Sequence, residues 1–395
     1  MSRAPGPMQT ISVVARLAAH ALKRRLTGEI KAATDHQTFR RALLPWVESL
    51  SDQVLAAHAF LRMPATQPPW TDAGIDVAAG DRISVFSDGR VNLSKLLDIW
   101  VAPPFQLWLR IGGDGPIFRG TRRTHSFTAE QSGRLYLASY FPGEWSDTSG
   151  QLGTDVRDYA KVSGELSVLV MRWNAKTDVA AFFRGLASGP STPELALEEQ
   201  DRQANPVDSP EGWNYLWYLG PGEIFRPATT DDGRQSICCH THEDVGILRK
   251  DAPMPLRPGT RLDWSWKVDQ LPSRVAEHTL PSHDYLSIAV EFDDGQDITY
   301  YRSAELPEET VYRCPLPTWK DKETHVVVRS GHDGLGQWLD ESRDLYEDYQ
   351  RHIGGAAGNI VRIWLIAVSL FQRGNGSCEY ADISLVADEK KLKIL

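Results

Sequence analysis

The sequence is poor in sulfur, with four cysteines and five methionines among 395 residues. Cys238 and Cys239 are adjacent, and Cys314 and Cys378 stand apart, so no disulfide framework is implied. The plain reading of all four is small hydrophobes buried in strands. No apolar run approaches the ~20 residues of a membrane span. Positive charge is in deficit: the net charge is −9 and the pI about 5.7, which argues against a generic nucleic-acid binder. There is no P-loop, no GxSxG elbow and no CxxC pair. Gly112-Gly113-Asp114-Gly115 reads as a turn, since no βαβ unit surrounds it. Nucleotide hydrolysis, kinase and Rossmann redox functions are therefore disfavoured, and no motif requires a cofactor. At the N-terminus, Arg16, His20 and Lys23-Arg24-Arg25 interrupt the apolar stretch that a signal peptide needs. We expect a mature N-terminus and a cytoplasmic protein.

What is present is 13 Trp, 31 Gly and 24 Pro, a mixture that suits β-rich domains with many turns. The length suggests two or three domains, and 41% apolar residues can bury a large core unaided. Residues 1–63 read as a helical N-terminal segment. Met8, Ile11, Val14, Ala15, Ala18 and Leu22 recur at helical spacing, Asp35 caps a short helix that Pro45 ends, and Trp46, Leu50, Val54, Ala57 and Leu61 continue the period. This segment carries nine Lys or Arg against four acids. Its basic helices are expected to pack on an acidic surface, either their own body or another copy in a homo-oligomer. A Pro-rich break at 64–69 leads into alternating strands over 70–175, with turns at Gly80-Asp81 and Asp88-Gly89. Residues 187–212 read as a polar, acidic linker or loop. A second β-rich block spans 213–388, with one helix across Asp340–His352. The expected fold is mainly β: two antiparallel β-sandwich, jelly-roll-like domains preceded by a helical segment.

Two resemblances add to this. WTDAGI (70–75), VAAGD (77–81), LRIGG (109–113), the strand at 133–137 and the loop YFPGEWSDTSG (140–150) make residues 70–173 similar to the PA-I type galactophilic lectin domain. That family is a calcium-dependent sandwich whose last loop holds calcium and sugar. Aligned on Pro142-Gly143, Tyr140 stands where the family has Asp, Glu144 where it has Thr, and Asp147 and Thr148 where it has two Asn. The resemblance implies Asp147 and Glu144 as the calcium ligands and places Trp145 beside the sugar. The second block, about 208–388, resembles a bacterial family that carries only a domain-of-unknown-function label. The matching stretches are LDWSWKVDQLP (262–272), His283-Asp284-Tyr285, VVVRSG (326–331) and GQWLDESRDLYEDYQRHIG (336–354). It implies a jelly-roll-like or carbohydrate-binding-like sandwich and names no activity.

Several residue sets bear chemistry. In a strand, i and i+2 share a face, so His240 and His242 converge and suit zinc or another transition metal, with Asp244, His283 or Asp284 supplying further ligands. His283 and Asp284 are also candidates for general acid–base work, each with a partner from a neighbouring strand. Trp264 and Trp266 share one face, and with Tyr300 they either fill the core or wall a ligand cleft. Arg302 and Arg343 are placed as ligand-binding cations. Arg343, Glu347 and Arg351 otherwise read as ordinary helical ion pairs. Two functional classes stay open. The first is recognition of a carbohydrate or small molecule, with the ligand in or near an interdomain cleft. The second is a cofactor-independent lyase, hydratase, isomerase or cyclase using His240, His242, His283 and Asp284.

Overall fold

The computed structural model describes residues 7–67, 69–388 and 390–395. The chain divides into two units, one of residues 28–207 and one made of the N-terminal helix with 208–395. Both are mainly β.

Helix α1 (Pro7–Leu26) belongs to the second unit, not to a continuous helical segment. The expected stripe is not the buried one: Met8, Ile11 and Leu22 are exposed, and Val13, Leu17 and Ala21, recurring every fourth residue, face the body because that is the side that packs on it. Its basic residues meet the acidic body of their own chain. Arg16 binds Glu305 with both terminal nitrogens, at 2.8 and 2.5 Å, and Arg24 lies 3.9 Å from Glu243.

In the first unit, α2 (His36–Glu48) is capped by Asp35, which accepts from the Thr38 amide at 2.8 Å. The helix runs through Pro45 and then stops. The third expected helix is instead strand β1 (Leu55–Pro64), paired along its length with β8 (Ser163–Trp173). The apolar spacing of this short run fits either state, and cross-strand pairing decided it. Between them lie β2 (Trp70–Val77), β3 (Arg82–Ser94), β4 (Ile99–Val101), the short α3 (Pro103–Gln106), β5 (Leu107–Ile111), β6 (Thr124–Thr128) and β7 (Gly133–Ser139). They form a five-stranded sheet, β1-β8-β3-β4 with β6 also on β3, and a three-stranded sheet, β2-β7-β5. The turn expected at Asp88-Gly89 is absent. Gly89 lies inside β3 at φ +105°, where a Cβ would stand 2.3 Å from the Glu165 carbonyl. One face of the larger sheet (Phe86, Leu169, Met171, Trp173) is covered by α2, α4 (Val179–Arg184) and α5 (Glu194–Ala204). The segment expected as a linker thus contains a packed helix. Leu195 and Ala196 are buried, and buried Glu199 binds Arg202 through two contacts of 2.7 Å.

The second unit contains β9 (Asn214–Tyr215), β10 (Phe225–Thr229), β11 (Gln235–His242), β12 (Val245–Pro255), β13 (Arg261–Gln270), β14 (Tyr285–Phe292), β15 (Asp297–Ser303), β16 (Val311–Arg313), β17 (Glu323–Ser330), β18 (Trp338–Asp344), α6 (Leu345–His352), β19 (Asn359–Val368), β20 (Asn375–Ala387) and β21 (Lys390–Lys393). A six-stranded sheet, β10-β11-β20-β13-β18 with β21 on β20, faces a seven-stranded one, β16-β17-β15-β14-β19-β12-β9. β15 and β17 run parallel, and the other paired strands described are antiparallel. Residues 340–344, where the expected helix was to begin, lie in strand β18. The helix begins only after Asp344, whose side chain accepts from the Glu347 amide.

Alternation places Leu286, Ile288, Val290 and Phe292 of β14 in the core between the sheets. Tyr285 and Ala289 of the same strand join a second apolar cluster on the outer face. There Leu216, Tyr218, Leu219, Leu306 and Trp319, all outside the sheet's strands, lie over it. The central strands β14, β15 and β17 are therefore covered on both sides, which is why almost every residue along them is buried, polar ones included.

Candidate functional site on the outer face of the seven-stranded sheet

Strand register turns this face into rows. One row crosses five strands: Asp251 (β12), Arg362 (β19), Glu291 (β14), Asp297 (β15) and Glu323 (β17). The next holds Arg249, Trp364, Ala289, Thr299, His325 and Tyr312. The first row grades from wet to dry. The Asp251 side chain is 84% exposed, whereas Glu323 is only 3% exposed as a residue.

At the wet end, Arg362 donates to both Glu291 oxygens at 2.9 Å and to Asp251 at 3.0 Å. The Trp364 indole N–H donates to Glu291 at 3.0 Å. An aromatic arc begins at Trp364. Its ring meets Trp319 at 6.0 Å, Trp319 meets Tyr218 at 6.2 Å, and Tyr218 meets Trp217 at 5.3 Å. Trp217 is 36% exposed, an open position for so large an apolar ring.

At the dry end, four donor groups converge. The ligand atoms of His283, Cys314, Glu323 and His325 all lie within 4.8 Å of one another, and all four residues are buried. Among the described residues, this set gathers in the way a metal ion requires. His283 follows a 3-10 turn (Leu280–Ser282), and its Nδ1 lies 2.8 Å from the Glu277 carbonyl. A carbonyl only accepts, so Nδ1 carries the proton and Nε2 keeps its lone pair. That Nε2 is 3.3 Å from Cys314 Sγ. Cys314 is positioned by its own amide, which donates to the Glu323 carbonyl at 3.1 Å. Tyr285 and Thr299 hydroxyls donate to Glu323 Oε1 at 3.2 and 3.0 Å, leaving Oε2 to face His325 Nε2 at 3.4 Å. The His325 ring stacks on Tyr312 at 4.9 Å, and neither of its nitrogens makes a hydrogen bond.

Burial sets the protonation here. It pushes the Cys314 thiol up, and repulsion from Glu323 adds to that. Burial, then the neighbouring Glu323, holds Asp297 well above the carboxylate range. For Glu323, burial is the largest influence and opposes ionisation, but His325, His283 and Cys314 together outweigh it and hold the group low. The environment thus drives two adjacent carboxyls to opposite states.

Of the residues singled out in the sequence, His283 joins this cluster. Asp284, its neighbour, accepts the amides of Phe371 and Gln372 at 2.9 and 2.6 Å and is fully buried as a backbone anchor. His240 and His242 do share a face of β11, but both are exposed, and β11 lies in the other sheet. The ligand walls read at Trp264, Trp266 and Tyr300 are core instead: all three are at most 2% exposed, and Trp264 stacks on Tyr300 at 5.8 Å. Arg302 is buried and donates to the carbonyls of Gly331 and Asp333. Arg343, on strand rather than helix, grips Asp348 with two bonds of 3.0 Å and Glu309 with two of 2.6 and 3.2 Å. Both cations are committed to the protein itself. In the first unit, Trp145 is buried between Trp70 and Tyr140, at 5.4 and 5.1 Å. Asp147 Oδ1 accepts from the Ser149 amide and hydroxyl at 2.8 and 2.7 Å, closing its own turn, and Glu144 is half-buried nearby.

Sequence reasoning missed Cys314, Glu323 and His325. Glu323-Thr324-His325 has the same i, i+2 spacing that drew attention to His240-Thr241-His242. Its strand continues as VVV, and the apolar run masks the pair.

Residues 223–384 match a family model described as "Protein of unknown function (DUF3047)". No curated protein matches the chain. Among solved structures, the chain is similar to the EclA N-terminal domain, a PllA-like lectin, at 17% identity over 31% of this chain and 99% of that one, with a TM-score of 0.23. It is also similar to the xyloglucanase domain of NopAA, a type three effector from Sinorhizobium fredii in complex with cellobiose. That match has 10% identity over 46% and 96%, with a TM-score of 0.28. A third is TmCBM61 in complex with beta-1,4-galactotriose, at 9% identity over 45% and 90%, with a TM-score of 0.23. Among the described residues, no helix is long and apolar enough to cross a membrane.

Proposed function

We propose that this protein recognises a carbohydrate, and that the outer face of the seven-stranded sheet is where the sugar binds. The observation that supports this is exposed Trp217 with the partly buried Tyr218 and Trp319, backed by the buried Trp364 and set beside the Asp251–Arg362–Glu291 ion pairs. Sugars present apolar C–H faces and a rim of hydroxyls. An aromatic ring takes the face, and fixed carboxylates and guanidinium groups take the hydroxyls. The first sandwich supports this less well, because the loop similar to the lectin's is filled by Trp145 and closed by Asp147. The cofactor-independent enzyme is the weaker reading: His240 and His242 stand apart in the other sheet, and Asp284 is occupied by backbone amides.

The test is calorimetric titration of the whole chain with a panel of neutral oligosaccharides, with and without Ca²⁺. At least one should bind. Trp217→Ala should weaken it by about 3- to 10-fold, the equivalent of one aromatic contact. Failure of every sugar, or binding that Trp217→Ala and Trp319→Ala both leave intact, overturns the reading. Binding that requires Ca²⁺ and survives both substitutions would return the site to the first sandwich.

A further inference from the structure

We propose that His283, Cys314, Glu323 and His325 bind a single divalent transition metal of the zinc class, in a closed structural site. This site is separate from the sugar face proposed above and does not depend on it.

Four observations carry the inference. The first is geometry. Zinc–sulfur and zinc–nitrogen bonds of about 2.3 and 2.0 Å put neighbouring ligand atoms of a tetrahedron about 3.3–3.5 Å apart. Cys314 Sγ and His283 Nε2 are 3.3 Å apart, and Glu323 Oε2 and His325 Nε2 are 3.4 Å apart. The separations reach at most 4.8 Å, so the widest must close by about 1.3–1.5 Å, within reach of side-chain rotation. The second is orientation. The Glu277 carbonyl fixes the outer nitrogen of His283, and Tyr285 and Thr299 occupy one oxygen of Glu323, so each residue is left one free ligand atom aimed inward. Such outer partners are how metal ligands are held.

The third is the state of His325. It is fully buried, yet both ring nitrogens lack hydrogen bonds, and a metal bond at Nε2 would remove that cost for the nitrogen that faces the cluster. The fourth is charge. Among the described residues, Glu323 has no Lys or Arg ion-pair partner, although it is buried. A thiolate and a carboxylate together neutralise a divalent cation, which makes the whole cluster neutral in an apolar setting. Nitrogen and sulfur donors select zinc or its transition-metal neighbours over magnesium and calcium. Four protein ligands leave no open position, so the site ties three segments together: the turn before β14, the residue after β16, and β17.

Metal analysis of the purified chain, followed by titration of the chelator-treated protein with Co²⁺, tests this. We expect about one zinc per chain as isolated, and a Co²⁺ complex with tetrahedral visible bands and a thiolate charge-transfer band. Cys314→Ser should abolish the charge-transfer band and weaken the metal at least about tenfold. Cys238→Ser should leave both unchanged. This control matters because Cys238 Sγ lies 3.3 Å from His240 Nδ1 on the exposed face of β11. Trp217→Ala should leave metal content unchanged even if it removes sugar binding. The proposal is overturned if the wild-type chain holds no zinc and gives no thiolate band with Co²⁺. It is equally overturned if the band survives Cys314→Ser or vanishes in Cys238→Ser.

Discussion

Trp264 and Trp266 provide a sharp test of how this sandwich is built, because neighbouring indoles with equal burial differ in one bond. Trp264 is 2% exposed and its indole N–H has no hydrogen-bond partner. Trp266 is 1% exposed and its N–H donates to Glu341 Oε1 at 3.1 Å. Replacing either by Phe removes similar apolar volume from the same core and should cost about 1–3 kcal/mol through the cavity left behind. In Trp264→Phe, the loss is partly offset, because an unsatisfied buried donor disappears. In Trp266→Phe, a hydrogen bond to a carboxylate is lost as well, worth about 1.5–3 kcal/mol. Glu341 keeps its two bonds from Arg329, at 2.7 and 3.0 Å, so it is not left unpaired and the lower end of that range applies. Trp266→Phe should therefore be the less stable variant by about 1–2 kcal/mol. Urea unfolding of the whole chain measures this, comparing midpoints at a common slope for the transition that both variants shift. Equal costs, or a larger cost for Trp264→Phe, would refute the hydrogen-bond reasoning. Unchanged stability in both variants, with loss of ligand binding, would return these rings to a ligand cleft.

Two further outcomes follow. Leu17→Ala should release α1 from the second unit and cost about 2–4 kcal/mol, since Leu17 is 6% exposed. Arg16→Ala removes a half-exposed ion pair and should cost less than about 1 kcal/mol; proteolysis within α1 and urea midpoints read the contrast, and equal effects would defeat it. In the first unit, burial, then the nearby Arg202, lowers His125 to about 4 from an ordinary 6.5. The folded state keeps the ring neutral while the unfolded chain protonates, so stability should fall as pH drops from about 6.5 towards 4. The loss should be on the order of 1–3 kcal/mol, discounted for the ring's partial exposure. His125→Gln should flatten that acid limb, and an unchanged limb would assign it to other groups.

The strands of both blocks were legible because alternation and turn residues are local signals. RLDWSWKVDQL, DYLSIAVEFDDG and NIVRIWLIAVSL became β13, β14 and β19 at nearly the expected limits. The Asp35 cap and the presence of α1 were also readable from spacing, but its buried face was not: Met8, Ile11 and Leu22 of the expected stripe are exposed, and Val13, Leu17 and Ala21 are buried instead. Local signals failed where two states satisfy one pattern. Residues 55–64 carry helical spacing and became a strand because β8 pairs with them. The polar stretch 187–212 hides α5, whose two buried apolar residues and Glu199 matter only once a sheet face stands beneath them.

The candidate site was less legible still. His283, Cys314 and Glu323-Thr324-His325 are spread over 43 positions of chain, and only the parallel pairing of β15 with β17 and the fold of the 273–284 segment bring them together. The sequence by itself determined a mainly β chain, an acidic body and a basic leading helix, because composition and period are properties of short windows. Tertiary structure alone decided which indoles are core and which is exposed, which histidines are exposed and which is buried with neither ring nitrogen hydrogen-bonded, and which carboxyl carries the proton. Those depend on what is packed against each group, and that neighbour comes from a distant part of the chain.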